Sequence, residues 1–153
     1  MSQKSAEKSP YRASSKGTAL IIDDDEEILA TLSSTLRPAD LDIVTLPSAM
    51  HALKYIDSQR WEWYPRLVIC DLAMPRMGGF LFIKRLNELF PKKKITTIIC
   101  SYLNSGLDVN EAEIAGASAY LMKPLNTKLI LSTVETVLSN KKSSMILVEP
   151  DKQ

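Results

Sequence analysis

Five polar side chains stand where short apolar runs end. Asp23 and Asp24 follow Thr18-Ala19-Leu20-Ile21-Ile22, Asp71 follows Leu67-Val68-Ile69-Cys70, Ser101 follows the run from Ile95 to Cys100, and Lys123 follows Ala119-Tyr120-Leu121-Met122. If the fold brings these ends together, the carboxylates repel one another and at least one pKa rises unless a cation joins them. An all-oxygen donor set with few protein ligands favours Mg²⁺ or Mn²⁺, which keep waters and take phosphate oxygens as further ligands. Lys123 adds a point charge for an anion and Ser101 a hydroxyl donor. A carboxylate nucleophile, a metal, an ammonium and a hydroxyl together describe phosphoryl transfer. A single Asp after a strand is as readily a helix cap or turn former, so the chemistry depends on the elements that position it.

The runs are short and β-rich, as expected of buried parallel strands. Leu41 to Leu46 reads as a second strand, and Asp42 within it marks a sheet edge. Helical spacing fills the gaps. Ile28, Leu32 and Leu36 share one face and stop before Arg37-Pro38. Pro47-Ser48 opens a helix through Ile56, with Ala49 and Leu53 on its inner face. A third runs from about Gly79 to Phe90, with Phe82 or Ile83, Leu86 and Phe90 inward. Asp108 and Glu111 fit a capping box for a short helix ended by Gly116, and Asn126 is placed to cap a last helix striped by Ile130, Val134, Val137 and Leu138. Five strands alternating with five helices require a parallel α/β sheet covered on both faces, with all strand carboxyl ends along one edge.

The 153 residues, 45% apolar and 24% charged, suit one globular domain. Nineteen basic against 18 acidic side chains give no broad field for nucleic acid. No run approaches the ~18 apolar residues of a membrane span. Cys70 and Cys100 end apolar runs and read as buried thiols, so a reducing, cytoplasmic setting is expected. Residues 1–16, rich in Ser and basic side chains, read as a flexible tail, 17–140 as the domain, and 141–153 as a linker. Within the last segment Met145-Ile146-Leu147-Val148 runs to Glu149-Pro150-Asp151, which fits either a small terminal strand or the start of a further α/β domain. His51, the single histidine, cannot build a metal site alone, and Trp61-Glu62-Trp63-Tyr64-Pro65 reads as an aromatic loop folded over the sheet edge.

Taken together, the motifs resemble a response-regulator receiver domain of the flavodoxin-like kind found in chemotaxis and phosphorelay proteins. The resemblance rests on Ile21-Ile22-Asp23-Asp24-Asp25, on Asp71-Leu72-Ala73-Met74-Pro75 with Gly79, on Ser101, and on Tyr120-Leu121-Met122-Lys123-Pro124. The spacing agrees, with thirty residues from Asp71 to Ser101 and twenty-two more to Lys123, and the match spans roughly Thr18 to Asn140.

That resemblance implies a doubly wound five-stranded parallel sheet in the order 2-1-3-4-5. It implies that Asp71 accepts a phosphoryl group from the phosphohistidine of a sensor histidine kinase or histidine phosphotransfer protein. Mg²⁺ would be held by Asp23, Asp24, Asp71 and the backbone carbonyl of Ala73. Lys123 would pair with Asp71 and then with the phosphoryl group, and its bond to Pro124 would be cis. Ser101 would turn onto the phosphoryl oxygens, opening space for Tyr120, with the surface of the fourth helix, fifth strand and fifth helix as readout. The chain would catalyse its own phosphorylation rather than act as a turnover enzyme. Its output would be a downstream protein or a fused domain, without direct nucleic-acid contact or membrane insertion.

Two positions depart from the family pattern. Gly78 replaces a usual Asp and should loosen its loop, and Tyr102 replaces a usual small residue and could narrow access to Asp71, face a partner or point to solvent. Two alternatives follow. One is a degenerate receiver that only binds a partner. The other is a haloacid-dehalogenase-type phosphatase using Asp23 in Asp23-Asp24-Asp25, although Glu27 stands where that motif wants Thr or Val.

Overall fold

Strands and helices alternate along the chain in the computed structural model, which describes residues 17–139 and 144–150. The tail read at 1–16 lies outside the described residues, as do residue 140, the first residues of the expected linker at 141–143, and the end at 151–153. The elements are β1 (Thr18–Ile22), α1 (Glu26–Thr35), β2 (Asp42–Leu46), α2 (Ala49–Asp57), β3 (Leu67–Cys70), α3 (Gly79–Leu89), β4 (Thr96–Ser101), α4 (Gly106–Ile114), β5 (Ala119–Met122), α5 (Thr127–Ser139) and β6 (Ile146–Val148). All strand pairs are parallel and the order is β2-β1-β3-β4-β5-β6. The expected order 2-1-3-4-5 therefore holds, but the sheet has a sixth strand. The run at Met145 to Val148 joins this sheet because β5 otherwise offers an unpaired edge, and an edge is a template for another strand.

Period-two alternation sends successive strand residues to opposite faces. Ala19, Ile21, Ile69, Ile98, Cys100 and Leu121 pack with Leu32 and Leu36 at the α1 side and with Ile130 and Val134 of α5. Leu20, Ile22, Val68 and Cys70 face α2 and α3, meeting Ala52, Ile56, Phe82 and Leu86. Each Leu, Ile, Val or Phe side chain fully buried among these contributes about 1.5–3 kcal/mol, so both layers fix the strands and hence the strand ends.

Local capping signals hold at α1 and α2 and are displaced or unmet at α4 and α5. Asp25 caps α1 by accepting from the Glu27 N–H, and Ser48 caps α2 by accepting from the His51 N–H. His51 is tied to the same hydroxyl through Nδ1 at 2.7 Å, a local structural role. α4 is capped by Ser105, not by Asp108 with Glu111. The Ser105 hydroxyl accepts from the Asp108 N–H at 3.1 Å while Asp108 accepts from the Ser105 N–H at 3.3 Å, so the box lies three residues earlier than the sequence suggested. Gly116, at φ +93°, terminates α4, with Ala117 N–H reaching the Ala112 carbonyl at 3.0 Å. Asn126 precedes α5, but its Oδ1 is buried with no hydrogen-bond partner among the described residues, so its expected capping bond is not made.

Candidate functional site

β1, β3 and β5 each carry the ladder one residue past the strand. Asp23 N–H donates to the Leu46 carbonyl at 3.1 Å, Asp71 N–H to that of Ile22 at 3.1 Å, and Lys123 N–H to that of Ser101 at 2.9 Å. These bonds fix the backbone from which the three charged side chains project. Asp23, Asp71 and Lys123 are all buried. The Lys123 ammonium bridges the two carboxylates, 2.7 Å from Asp23 Oδ2 and 3.2 Å from Asp71 Oδ2. The family resemblance implied a bond to Asp71; the shorter contact is to Asp23. The remaining oxygens are also engaged: Asp23 Oδ1 accepts from the Asp25 N–H at 2.9 Å, and Asp71 Oδ1 from the Ala73 N–H at 3.1 Å. Ala73, exposed at the mouth of the site, thus closes a local turn on Asp71.

The loop after Asp71 is pressed against the start of α3. A Cβ on Gly79 would lie 2.5 Å from the Asp71 carbonyl oxygen, so only glycine permits this approach. A Cβ on Gly78 would lie 2.8 Å from the Leu72 carbonyl oxygen, so this stretch is close-packed rather than loosened as expected. The Lys123–Pro124 peptide is cis.

Burial is the largest influence on Asp23 and raises its pKa; the Lys123 hydrogen bond, the Asp25 N–H and the Lys123 charge oppose it without cancelling it. Burial pulls Lys123 the other way, but its hydrogen bond to Asp23 and the charges of Asp71 and Asp23 outweigh burial and raise its pKa. One ammonium therefore serves two buried carboxylates, and Asp24 adds a third at the exposed rim. One oxygen from each of Asp23, Asp24 and Asp71 lies within 4.8 Å of the others. Three hard oxygen donors around an undercompensated negative charge fit a divalent cation such as Mg²⁺. The neighbouring thiols are buried and free, and burial pushes Cys100 up to about 12, so they remain protonated and apolar in character.

The β4–β5 side holds the remaining residues. Ser101 is buried and its Oγ accepts from the Leu103 N–H at 3.1 Å. The Tyr120 hydroxyl donates to the Leu103 carbonyl. Tyr120 already lies inward, packed with Leu72, Ile83, Ile99, Ala112 and Ala117. Leu103 escaped the sequence reading because an exposed loop leucine carries no pattern signal; only its backbone matters here. Tyr102 is 63% exposed, yet its ring centroid lies 5.3 Å from Lys123 Nζ. Its ring therefore roofs the lysine while its outer surface meets solvent. The aromatic loop stands apart, with Trp63 edge-on to Tyr55 and Lys93 over Tyr64.

A bridging lysine, an acidic triad and a strand-end serine on one edge of a doubly wound parallel sheet define a receiver domain of two-component signal transduction. The chain belongs to the response regulator receiver domain family, which matches residues 19–135. Among curated proteins it is 29% identical over 121 residues to the heme response regulator HssR of Staphylococcus saprophyticus, covering 79% of this chain and 51% of that protein. It is also 29% identical over 119 residues to the heme response regulator HssR of Staphylococcus aureus strain RF122, covering 78% and 50%. The chain thus spans about half the length of these curated relatives. Among solved structures, the chemotaxis protein CheY4 of Vibrio cholerae matches with 27% identity and a TM-score of 0.70, covering 80% of this chain and 99% of that one. A CheY-like receiver domain protein of Methanospirillum hungatei gives 26% identity and a TM-score of 0.70, covering 81% and 94%. No helix among the described residues is long and apolar enough to cross a membrane.

Proposed function

We propose that this domain accepts a phosphoryl group on Asp71 from the phosphohistidine of a sensor histidine kinase or phosphotransfer protein in the cytoplasm. The observation that carries the reading is the Lys123 ammonium shared between Asp23 and Asp71 at 2.7 and 3.2 Å. An Asp71 oxygen attacks phosphorus, the P–N bond breaks, and its electron pair leaves with the imidazole. As the carboxylate charge passes to the new acyl phosphate, Lys123 exchanges its longer contact with Asp71 for a phosphoryl oxygen while Asp23 keeps hold of it. Ser101 donates its hydroxyl to a second phosphoryl oxygen. Mg²⁺ held by Asp23, Asp24, Asp71 and the Ala73 carbonyl would supply charge neutralisation for the transferring group.

Incubation with acetyl phosphate and Mg²⁺ tests this reading. The expected result is one acid-stable, base-labile phosphoryl group per chain, lost in Asp71→Asn and retained in Asp24→Asn at reduced rate. Label confined to Asp23 with rapid turnover would instead identify a phosphatase. That outcome is disfavoured by Glu27, which stands where the phosphatase motif wants Thr or Val. The Tyr102 ring over Lys123 favours a second reading, a partner-binding receiver whose site is roofed. In that case wild type stays unlabelled and Tyr102→Ala becomes labelled.

A further inference from the structure

β4 occupies one edge of β5 and β6 the other, with Ala119 opposite Ile146, Tyr120 opposite Leu147 and Leu121 opposite Val148. Ile146 N–H donates to the Ser118 carbonyl at 3.0 Å. Val148 is buried in the layer shared with α1 and α5, while Met145 packs on the cluster that contains Tyr120. The strand itself is thus seated in one core layer through Ile146 and Val148, the residue just before it reaches the other through Met145, and the residue opposite its centre is Tyr120. From Tyr120 the contacts continue to the phosphorylation site. Its hydroxyl donates to the Leu103 carbonyl, and the Leu103 N–H donates to Ser101 Oγ at 3.1 Å.

We propose that β6 is a strap whose hold on β5 is coupled, through Tyr120 and Leu103, to the state of the Asp71 site. The proposal rests on Asp71 being the phosphoacceptor. Its sign follows from the hydroxyl chemistry. Ser101 has one donor and two acceptor positions, so it can bond a phosphoryl oxygen while still accepting from Leu103. Donation to a dianion polarises the hydroxyl and strengthens the bond it accepts. The fixed Leu103 carbonyl then holds Tyr120 inward, and the inward ring completes the surface on which Met145 packs. Phosphorylation thus tightens β6, and linkage requires docked β6 to favour the phosphorylated form by the same factor.

The test is amide hydrogen exchange by NMR on the whole chain, with Mg²⁺ alone and with Mg²⁺ plus beryllofluoride as phosphoryl mimic. Occupancy is read from the shifts of the Asp71 and Ala73 amides. The expected result is exchange at 146–148 slowed about fivefold or more on occupancy, with no slowing in Tyr120→Phe, which lacks the hydroxyl. Val148→Ser should weaken beryllofluoride binding by a comparable factor. Shifted Asp71 and Ala73 amides with unchanged exchange at 146–148 overturn the strap alone. Unshifted amides overturn the phosphoacceptor reading and the strap with it.

Discussion

α3 and α4 lie on the same side of the sheet and are anchored very differently. α3 buries Gly79, Phe82, Ile83 and Leu86, whereas α4 buries only Ala112 and leaves Leu107 and Ile114 75% and 76% exposed. The residue that begins α3 is pressed onto the carbonyl of Asp71, and the loop that leads into α4 carries Leu103, the partner of Ser101 and Tyr120. Asp71 is thus set against the firmly seated helix. The Ser101 hydroxyl and Tyr120 phenol, which we propose respond to phosphorylation, are tied to the lightly seated one, and low local stability is where conformational response is drawn from.

The difference can be broken at its charged centre first. Lys123→Ala leaves two buried carboxylates without their ammonium, and should cost about 3–5 kcal/mol in metal-free urea unfolding. The deficit should shrink as Mg²⁺ is added, since loss of the ammonium that competes for Asp23 and Asp71 tightens Mg²⁺ binding in the variant, and a ligand bound only by the folded state stabilises it by mass action. Absence of Mg²⁺-dependent stabilisation in both the wild type and Lys123→Ala would mean that the acidic triad does not hold the ion. Truncating the α3 anchor, Phe82→Ala, should cost a similar ~3–5 kcal/mol. Ser105→Ala removes the box that starts α4 and should cost only ~1 kcal/mol, with increased amide exchange confined to α4. Leu107→Ala on the exposed face of α4 should change stability by less than about 0.5 kcal/mol. Equal losses from Phe82→Ala and Leu107→Ala would remove the asymmetry altogether.

Much of the site was legible in the chain because each of its residues follows an apolar run. Asp23, Asp71, Ser101 and Lys123 needed only the rule that parallel strands end along one edge, and the structure places them there. Residues whose role depends on a distant neighbour were not legible. Lys123 lies closer to Asp23 than to Asp71, a choice made by side-chain reach across β1, β3 and β5. Met145 to Val148 looked equally like a new domain, because nothing local announces that β5 has a free edge. Gly78 looked like a source of looseness, whereas its missing Cβ accommodates the Leu72 carbonyl. Ser105 was overlooked as the α4 cap because Asp108 carries a capping signal of its own; in the structure Asp108 answers Ser105 from the third helical position.

The central claim is that Asp71, held by Lys123 on a rigid strand end, takes the phosphoryl group. Its most direct test is to phosphorylate the chain with acetyl phosphate and Mg²⁺, reduce the acyl phosphate with borohydride, and sequence the peptides by mass spectrometry. Homoserine at position 71 and at no other aspartate is the predicted result. Homoserine at position 23, or an unmodified position 71 in a folded chain whose Tyr102→Ala variant is equally unmodified, would contradict it.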